Sequence, residues 1–120
     1  MTEPVENLTH FASGAVRSAD TAGLRYDLIS PIALKRIAQT CAEGAAKYSA
    51  FNWEKGMDVP DLLNHAINHI YSYLAGDRSE DHLGHAAWNC CAAIHSETLW
   101  PNLNANKLRG PNCSPPSEKA

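Results

Sequence analysis

No stretch of this chain approaches the roughly 18 consecutive apolar residues that a membrane-spanning helix needs. Its opening residues, MTEPVENLTH, have neither the basic region nor the apolar core of a secretory leader. The expectation is a soluble, cytoplasmic protein with no membrane partner. Positive charge is also short: 10 Lys and Arg against 13 Asp and Glu give a formal net charge of −3. That argues against a nucleic-acid partner, and a small anionic ligand would need local cations or a metal ion. The four cysteines make no CxxC pair, which excludes a zinc knuckle or a dithiol redox motif. Cys41 lies in one apolar helical pattern, Cys90 and Cys91 lie in another, and Cys113 is in the tail, so buried, reduced thiols are expected. There is no Gly-rich phosphate loop, nucleophile elbow or internal repeat, which removes P-loop and serine-hydrolase readings. At 120 residues the chain is one domain with a modest core that a subunit partner would enlarge.

What the chain does have is concentrated between Asn64 and His95, which hold five of its six histidines. Around that stretch the pattern predicts three helices. Ser30 and Pro31 form a helix start, and Leu34, Ile37, Ala38, Cys41, Ala45 and Tyr48 recur at spacings of three and four, predicting a buried stripe over about Pro31 to Tyr48. A connector with Asn52 and Trp53 follows. A second helix, about Pro60 to Ala75, opens on Asp58 and Pro60 and carries Leu62, Leu63, Ala66, Ile67, Ile70, Tyr71 and Leu74 as its apolar side. Gly76 ends it. Ser79 is the expected cap of a third helix, about Glu80 to Thr98, with Leu83, Ala86, Ala87, Cys90 and Ile94 as its apolar side. Residues 1–23 read as an arm without lasting period, and residues 101–120, rich in Pro and Asn, as a mobile tail.

Candidate chemistry sits on the polar sides of these helices. His65 and His69 are four apart, the spacing of a zinc HExxH motif, but Ala66 stands where the glutamate would be. Asp81, His85 and Asn89 form a stripe at spacings of four, with His82 three before His85. The short turn makes the second and third helices antiparallel, which brings Asp77 and Asp81 close to His69. Carboxylate dominance at this corner would select magnesium or manganese, and imidazole dominance zinc, cobalt or nickel. Glu43 and Lys47 are spaced as a helical ion pair or as ligands to something outside the helix. Trp53 reads either as a lid on the core or as a face for a nucleobase.

Taken together, Arg25-Tyr26-Asp27-Leu28 with Pro31, Gly44-Ala45 with Lys47-Tyr48, Asn52-Trp53 with Lys55-Gly56, His69, Gly76-Asp77, and His82-Leu83-Gly84-His85-Ala86 with Asn89 resemble the small phage-encoded dATP/dGTP diphosphohydrolase domain. That family is related to MazG-like, all-α nucleotide pyrophosphohydrolases. The resemblance spans about Leu24 to Ile94. It implies metal-dependent cleavage of a purine deoxynucleoside triphosphate between the α and β phosphates, in the host cytoplasm if the protein is phage-encoded. It places His69, Asp77, His82, His85 and Asn89 at the metal and water corner. Lys47, Arg25 and Arg78 would meet phosphate oxygens, with Asn52 and Trp53 on the base. The catalytic group would be His69, His85 and Lys47.

MazG-like enzymes typically carry an ExxE pair and a later ExxD pair on adjacent helices. Here the helices have neither, and the ExxE from Glu3 to Glu6 lies in the arm. A second ligand set is therefore a carboxylate cage of Glu43, Asp77 and Asp81, with the histidines, His82 and His85 among them, orienting ligands or acting as bases. Magnesium or manganese is the expected ion in either set, ahead of zinc, cobalt or nickel. The competing function is a non-catalytic helical interaction module with structural or zinc-binding histidines. An HD-type phosphohydrolase ranks lower, because Asp81 precedes His82 and the dyad is reversed. The expected architecture is an all-α, antiparallel helical bundle of three main helices over residues 24–100, completed by dimerisation or a higher homo-oligomer.

Overall fold

The computed structural model of the chain describes residues 8–19 and 23–104. The ExxE of the arm, Cys113 and the tail beyond residue 104 lie outside the described residues. The fold is mostly helical, and the chain divides into two compact units, residues 1–30 and 31–120.

In the first unit, strands β1 (Leu8–His10) and β2 (Val16–Ser18) pair antiparallel with Leu8 opposite Ser18 and His10 opposite Val16. The connection is closed by the Phe11 N–H on the Ala15 carbonyl and the Gly14 N–H on the Phe11 carbonyl, both 2.9 Å. Three-residue strands are too short for an alternating pattern to register in the sequence, which is why this arm read as patternless. A single 3-10 turn, Tyr26–Leu28, follows.

The second unit holds helices α1 (Pro31–Lys47), α2 (Val59–Leu74), α3 (His82–Leu99) and the one-turn α4 (Pro101–Asn104), with a 3-10 turn over Asn52–Lys55. The Asp58 carboxylate accepts the Asp61 N–H at 2.9 Å and starts α2. Gly76, at φ +97°, takes the left-handed conformation that stops it. The cap of α3 is Asp81 rather than Ser79. Asp77 Oδ1 accepts the Ser79 N–H at 2.8 Å, which holds Ser79 in the turn and leaves Asp81 as the first side chain able to reach an orphan N–H, that of Gly84 at 3.0 Å.

Two contacts set the sense of the α2–α3 pair. Ser96 Oγ, late in α3, accepts the Met57 N–H just ahead of α2, and His69, late in α2, meets His82 at the start of α3. The helices are antiparallel, as the short turn requires. Their shared face is built of Leu62 and Ala66 from α2 and of His82, Ala86, Asn89, Ala92, Ala93 and Ser96 from α3. Met57, Val59 and Trp88 pack against the Leu62, Ala92 and Ala93 cluster. α1 lies across the first turns of α3 through Arg36 to Asp81 and Glu43 to His85. At the other end α4 is clamped by one side chain. Asn104 Oδ1 accepts the Val59 N–H at 2.6 Å, and its amide nitrogen donates to the Met57 and Trp100 carbonyls.

Of the expected apolar stripes, Leu62, Ala66 and Ala86 enter the core, and most of the larger side chains do not. Leu34 on α1, Tyr48 just past its end, Leu63, Ile67, Ile70, Tyr71 and Leu74 on α2, and Leu83 and Ile94 on α3 are exposed. Cys41, Cys90 and Cys91 are free thiols but exposed, not buried. The reason is the close approach of α2 and α3. Small side chains let two helices lie near each other, so alanine, serine and hydrogen-bonded polar groups take the inner face and the bulky residues are turned outward.

Candidate metal centre and nucleotide pocket

The end of the inner face where α2 gives way to α3 is a knot of imidazoles and carboxylates. His82 is 5% exposed, with Nε2 3.0 Å from Asp77 Oδ2 and Nδ1 3.0 Å from His69 Nδ1. His85, one turn on, has Nδ1 2.9 Å from Glu80 Oε1 and Nε2 3.1 Å from Glu43 Oε2, so it bridges α1 to the turn before α3. Glu80 Oε1 also lies 3.5 Å from His69 Nδ1. His69, Glu80 and His85 can each offer one donor atom with all three within 4.8 Å of one another.

Three physical causes set the charge of this knot. Burial holds His69 below its ordinary pKa, and His85 and His82 press the same way while Glu80 opposes. Burial also pushes His85 down, but its hydrogen bonds to Glu43 and Glu80 outweigh that and leave it raised. The Ser79 N–H, together with the His82 ring, keeps the Asp77 carboxyl down at about 2. His69 is thus shifted toward the neutral imidazole, and His85 toward the protonated ring between its two carboxylate neighbours.

Next to the knot, and sharing two of its residues, is a cavity of about 250 Å³. Its apolar walls include Tyr48, Phe51, Trp53 and Trp88, with Asn52 and Lys47 beside them and Glu43 and His85 facing the knot. The Trp53 ring stands edge-on to His95, centroids 4.7 Å apart. Phe51 adopts φ +62°, uncommon for a bulky residue, and caps the 3-10 turn that presents Asn52 and Trp53.

The other expected site residues fall in separate places. Asp81 forms a bidentate pair with Arg36, and this guanidinium foremost, joined by the Gly84 N–H and opposed by burial, holds its carboxyl at about 2. Arg78 is pinned to its own turn, donating to the Tyr73 and Asp77 carbonyls with its guanidinium 3.6 Å from the Tyr73 ring centre. Asn89 is buried and donates to the His85 carbonyl. His65 faces solvent beside Asp61, while its partner in spacing, His69, turns inward. Arg25 belongs to the first unit and forms a bidentate pair with Asp27. Two residues went unassigned in the sequence. Glu80 stands there only as the first residue of the third helix, and Trp88 has no role assigned, although its place three residues after His85 puts both on one side of α3.

The family described as dATP/dGTP diphosphohydrolase, N-terminal, matches residues 13–105. The chain belongs to that family. The match covers both the histidine knot and the aromatic cavity. No curated protein and no solved structure matches the chain significantly. Within the family's N-terminal domain, then, this chain carries an imidazole–carboxylate cluster opening onto an apolar pocket, and no helix among its described residues is long and apolar enough to cross a membrane.

Proposed function

We propose that the domain hydrolyses the purine deoxynucleoside triphosphates dATP and dGTP to the monophosphate and pyrophosphate, using a divalent ion, in phage nucleotide metabolism. The observation that carries this reading is the sharing of Glu43 and His85 between the cavity and the knot. A ligand with a flat apolar end and an anionic end would place one in each. The cavity volume suits a base rather than a whole nucleotide, so the triphosphate would extend toward the knot.

The donor set fits a single ion. Ligands about 2.0–2.2 Å from a metal lie within about 4 Å of each other, so the 4.8 Å spread of His69, Glu80 and His85 closes with small side-chain rotations. Two imidazoles beside carboxylates favour manganese over magnesium. When bound, the ion supplies charge neutralisation and Lewis-acid polarisation at the phosphoryl oxygens. The chain's own groups do the rest. Lys47, on the cavity wall four residues after Glu43, binds phosphate oxygens. Trp88 and Trp53 bound the base, and Asn52 reads its edge. Glu43, exposed on the cavity side, accepts at Oε2 the proton of the water that attacks the α-phosphorus. The bond from that phosphorus to the bridging oxygen breaks, and pyrophosphate leaves.

The outward apolar faces of α1 and α2 suit a second copy of the chain, so a homodimer or higher homo-oligomer accompanies this proposal. The decisive experiment incubates the protein with dGTP or dATP and manganese and resolves products by mass. Monophosphate plus pyrophosphate supports the reading. Intact nucleotide, with partner binding unchanged in a folded His69→Ala, His85→Ala variant, would instead establish the interaction module.

A further inference from the structure

We infer that Trp100 and His95 are positioning residues for the base-binding end of the cavity, holding the turn that carries Asn52 and Trp53. This rests on the reading of the cavity as a nucleobase site, and it gives a role to a histidine that stands apart from the knot. Neither residue lines the cavity itself.

The turn does not fix its own geometry. It is four residues of 3-10 helix, Asn52–Lys55, a form with poor hydrogen-bond geometry that is stable only in short pieces. It starts from Phe51, whose left-handed φ of +62° persists only where surrounding structure imposes it. Its own backbone bonds are local, from the Glu54 N–H to the Phe51 carbonyl at 3.0 Å and from the Gly56 N–H to the Trp53 carbonyl at 3.3 Å. The distant holds come from the last turns of α3 and the residue that ends it. Trp100 Nε1–H, which can only donate, gives its hydrogen to the Glu54 carbonyl at 3.0 Å, 46 residues back. Its indole lies so close to Gly56 that an added Cβ would stand 2.9 Å from Trp100 Cγ, so a glycine at φ +97° serves both the end of the turn and this approach. His95 stands edge-on to the Trp53 ring, with centroids 4.7 Å apart and planes at 86°. The turn is thus held at Trp53 by one side chain and at Glu54 and Gly56 by the other. Asn104 differs, since it holds Met57 and Val59, past the turn. An indole offers a base its face only while its tilt is fixed, and the knot lies at the opposite end of the ligand. Loosening the turn therefore weakens binding of the base and leaves the chemical step alone.

The test titrates dGMP into the metal-free protein by calorimetry and measures kcat and KM for dGTP with manganese. Trp100→Phe, which keeps a ring beside Gly56 and loses the N–H, should bind dGMP about 3–10-fold more weakly, as loss of one neutral hydrogen bond does. His95→Ala should lose about as much through the missing aromatic edge, and His95→Phe, which restores that edge, should recover most of it. KM for dGTP should rise by the same factors while kcat stays within about twofold of wild type. Fluorine NMR of protein labelled with 5-fluorotryptophan should show the Trp53 resonance displaced in Trp100→Phe and His95→Ala and unmoved in Asn104→Ala, which lowers stability without touching the turn. Unchanged dGMP affinity in Trp100→Phe or in His95→Ala overturns the role of that residue while leaving the base site standing. An equal loss of affinity in Asn104→Ala would make the effect a general loosening and also overturn the inference. Failure of wild type to bind dGMP defeats the base-site reading, and the inference with it. Wild type that binds dGMP but leaves dGTP intact defeats the hydrolase reading alone, and the dGMP affinities still decide the role of the two residues.

Discussion

The two ends of the α2–α3 interface are built from similar materials and behave differently. At one end Ser96, fully buried, and Asn104 spend their polar atoms on backbone groups: the Met57 N–H, the Val59 N–H and nearby carbonyls. Every partner is neutral and fixed, so the end is a clamp. At the other end His69, Glu80, His82 and His85 spend their polar atoms on one another, and Asp77 and Glu43 close the chain. Those partners are titratable, and their charges need an ion or a proton to balance. Buried polar groups bonded to backbone hold a fold together, whereas buried polar groups bonded to each other keep chemistry in reserve.

Substitutions should separate the two ends cleanly. His85→Ala or His69→Ala should cut pyrophosphate release from dGTP about 100-fold or more, as loss of an ion ligand or proton-transfer group does, with a melting temperature near that of wild type. Retained turnover would abolish the contrast. Asn104→Ala, at the clamp, should cost about 1–3 kcal/mol in denaturant unfolding by leaving the Val59 N–H unpaired, with turnover per folded molecule unchanged. Gly84→Ala sits between the cases. An added Cβ would collide with the Asp81 carboxylate, so the cap and the Arg36 pair are disturbed together, at about 1–2 kcal/mol by thermal unfolding. Because α3 begins there, weaker cobalt binding should accompany it.

The smallest effect expected is in the pH dependence of stability without metal. Asp77 and Asp81 are lowered from an ordinary 3.8 to about 2, so they stabilise the fold fully above about pH 4, and that contribution is lost as pH falls toward 2. His85 is raised, so its contribution is present below its ordinary 6.5 and lost as pH rises through its folded value. Melting temperature should therefore decline at both limits. Asp81→Asn should flatten the acid limb, and His85→Gln the alkaline one. An acid limb identical in Asp81→Asn would show that the Arg36 pair contributes nothing to it.

Much of this was legible in the residues. Pro31, Asp58 with Pro60, and Gly76 mark helix limits locally, and local signals survive folding. The corner of histidines and carboxylates was legible for the same reason, since spacings of three and four hold on any helix. The inner face of α3 was not. Leu83, Cys90 and Ile94 look like its core side, but His82, Asn89 and Ser96 go inward, and the partners of His82 and Ser96, His69 and the Met57 N–H, come from outside the helix, where no local pattern reveals them. Asp81 was equally opaque. Its partner Arg36 is 45 residues away, and this pair turns a candidate ligand into a cap and an anchor. The hairpin at Leu8–Ser18 escaped because three residues per strand carry too little pattern.

The sequence by itself determined that the chain is helical, that imidazole and carboxylate side chains cluster where α2 meets α3, and that Lys47 comes from the end of the first helix and Asn52 and Trp53 from the connector after it. Periodicity, capping residues and turn glycines are properties of neighbours in the chain, so they can be read there. Only the tertiary structure decided which carboxylate joins which imidazole: Glu80 and Glu43 on His85, Asp77 on His82, and Asp81 on Arg36. It also decided that the pocket shares its residues with that knot. Pairings between helices depend on how closely small residues allow them to approach, and that distance is set by the whole face of α2 against α3 rather than by any short stretch of either.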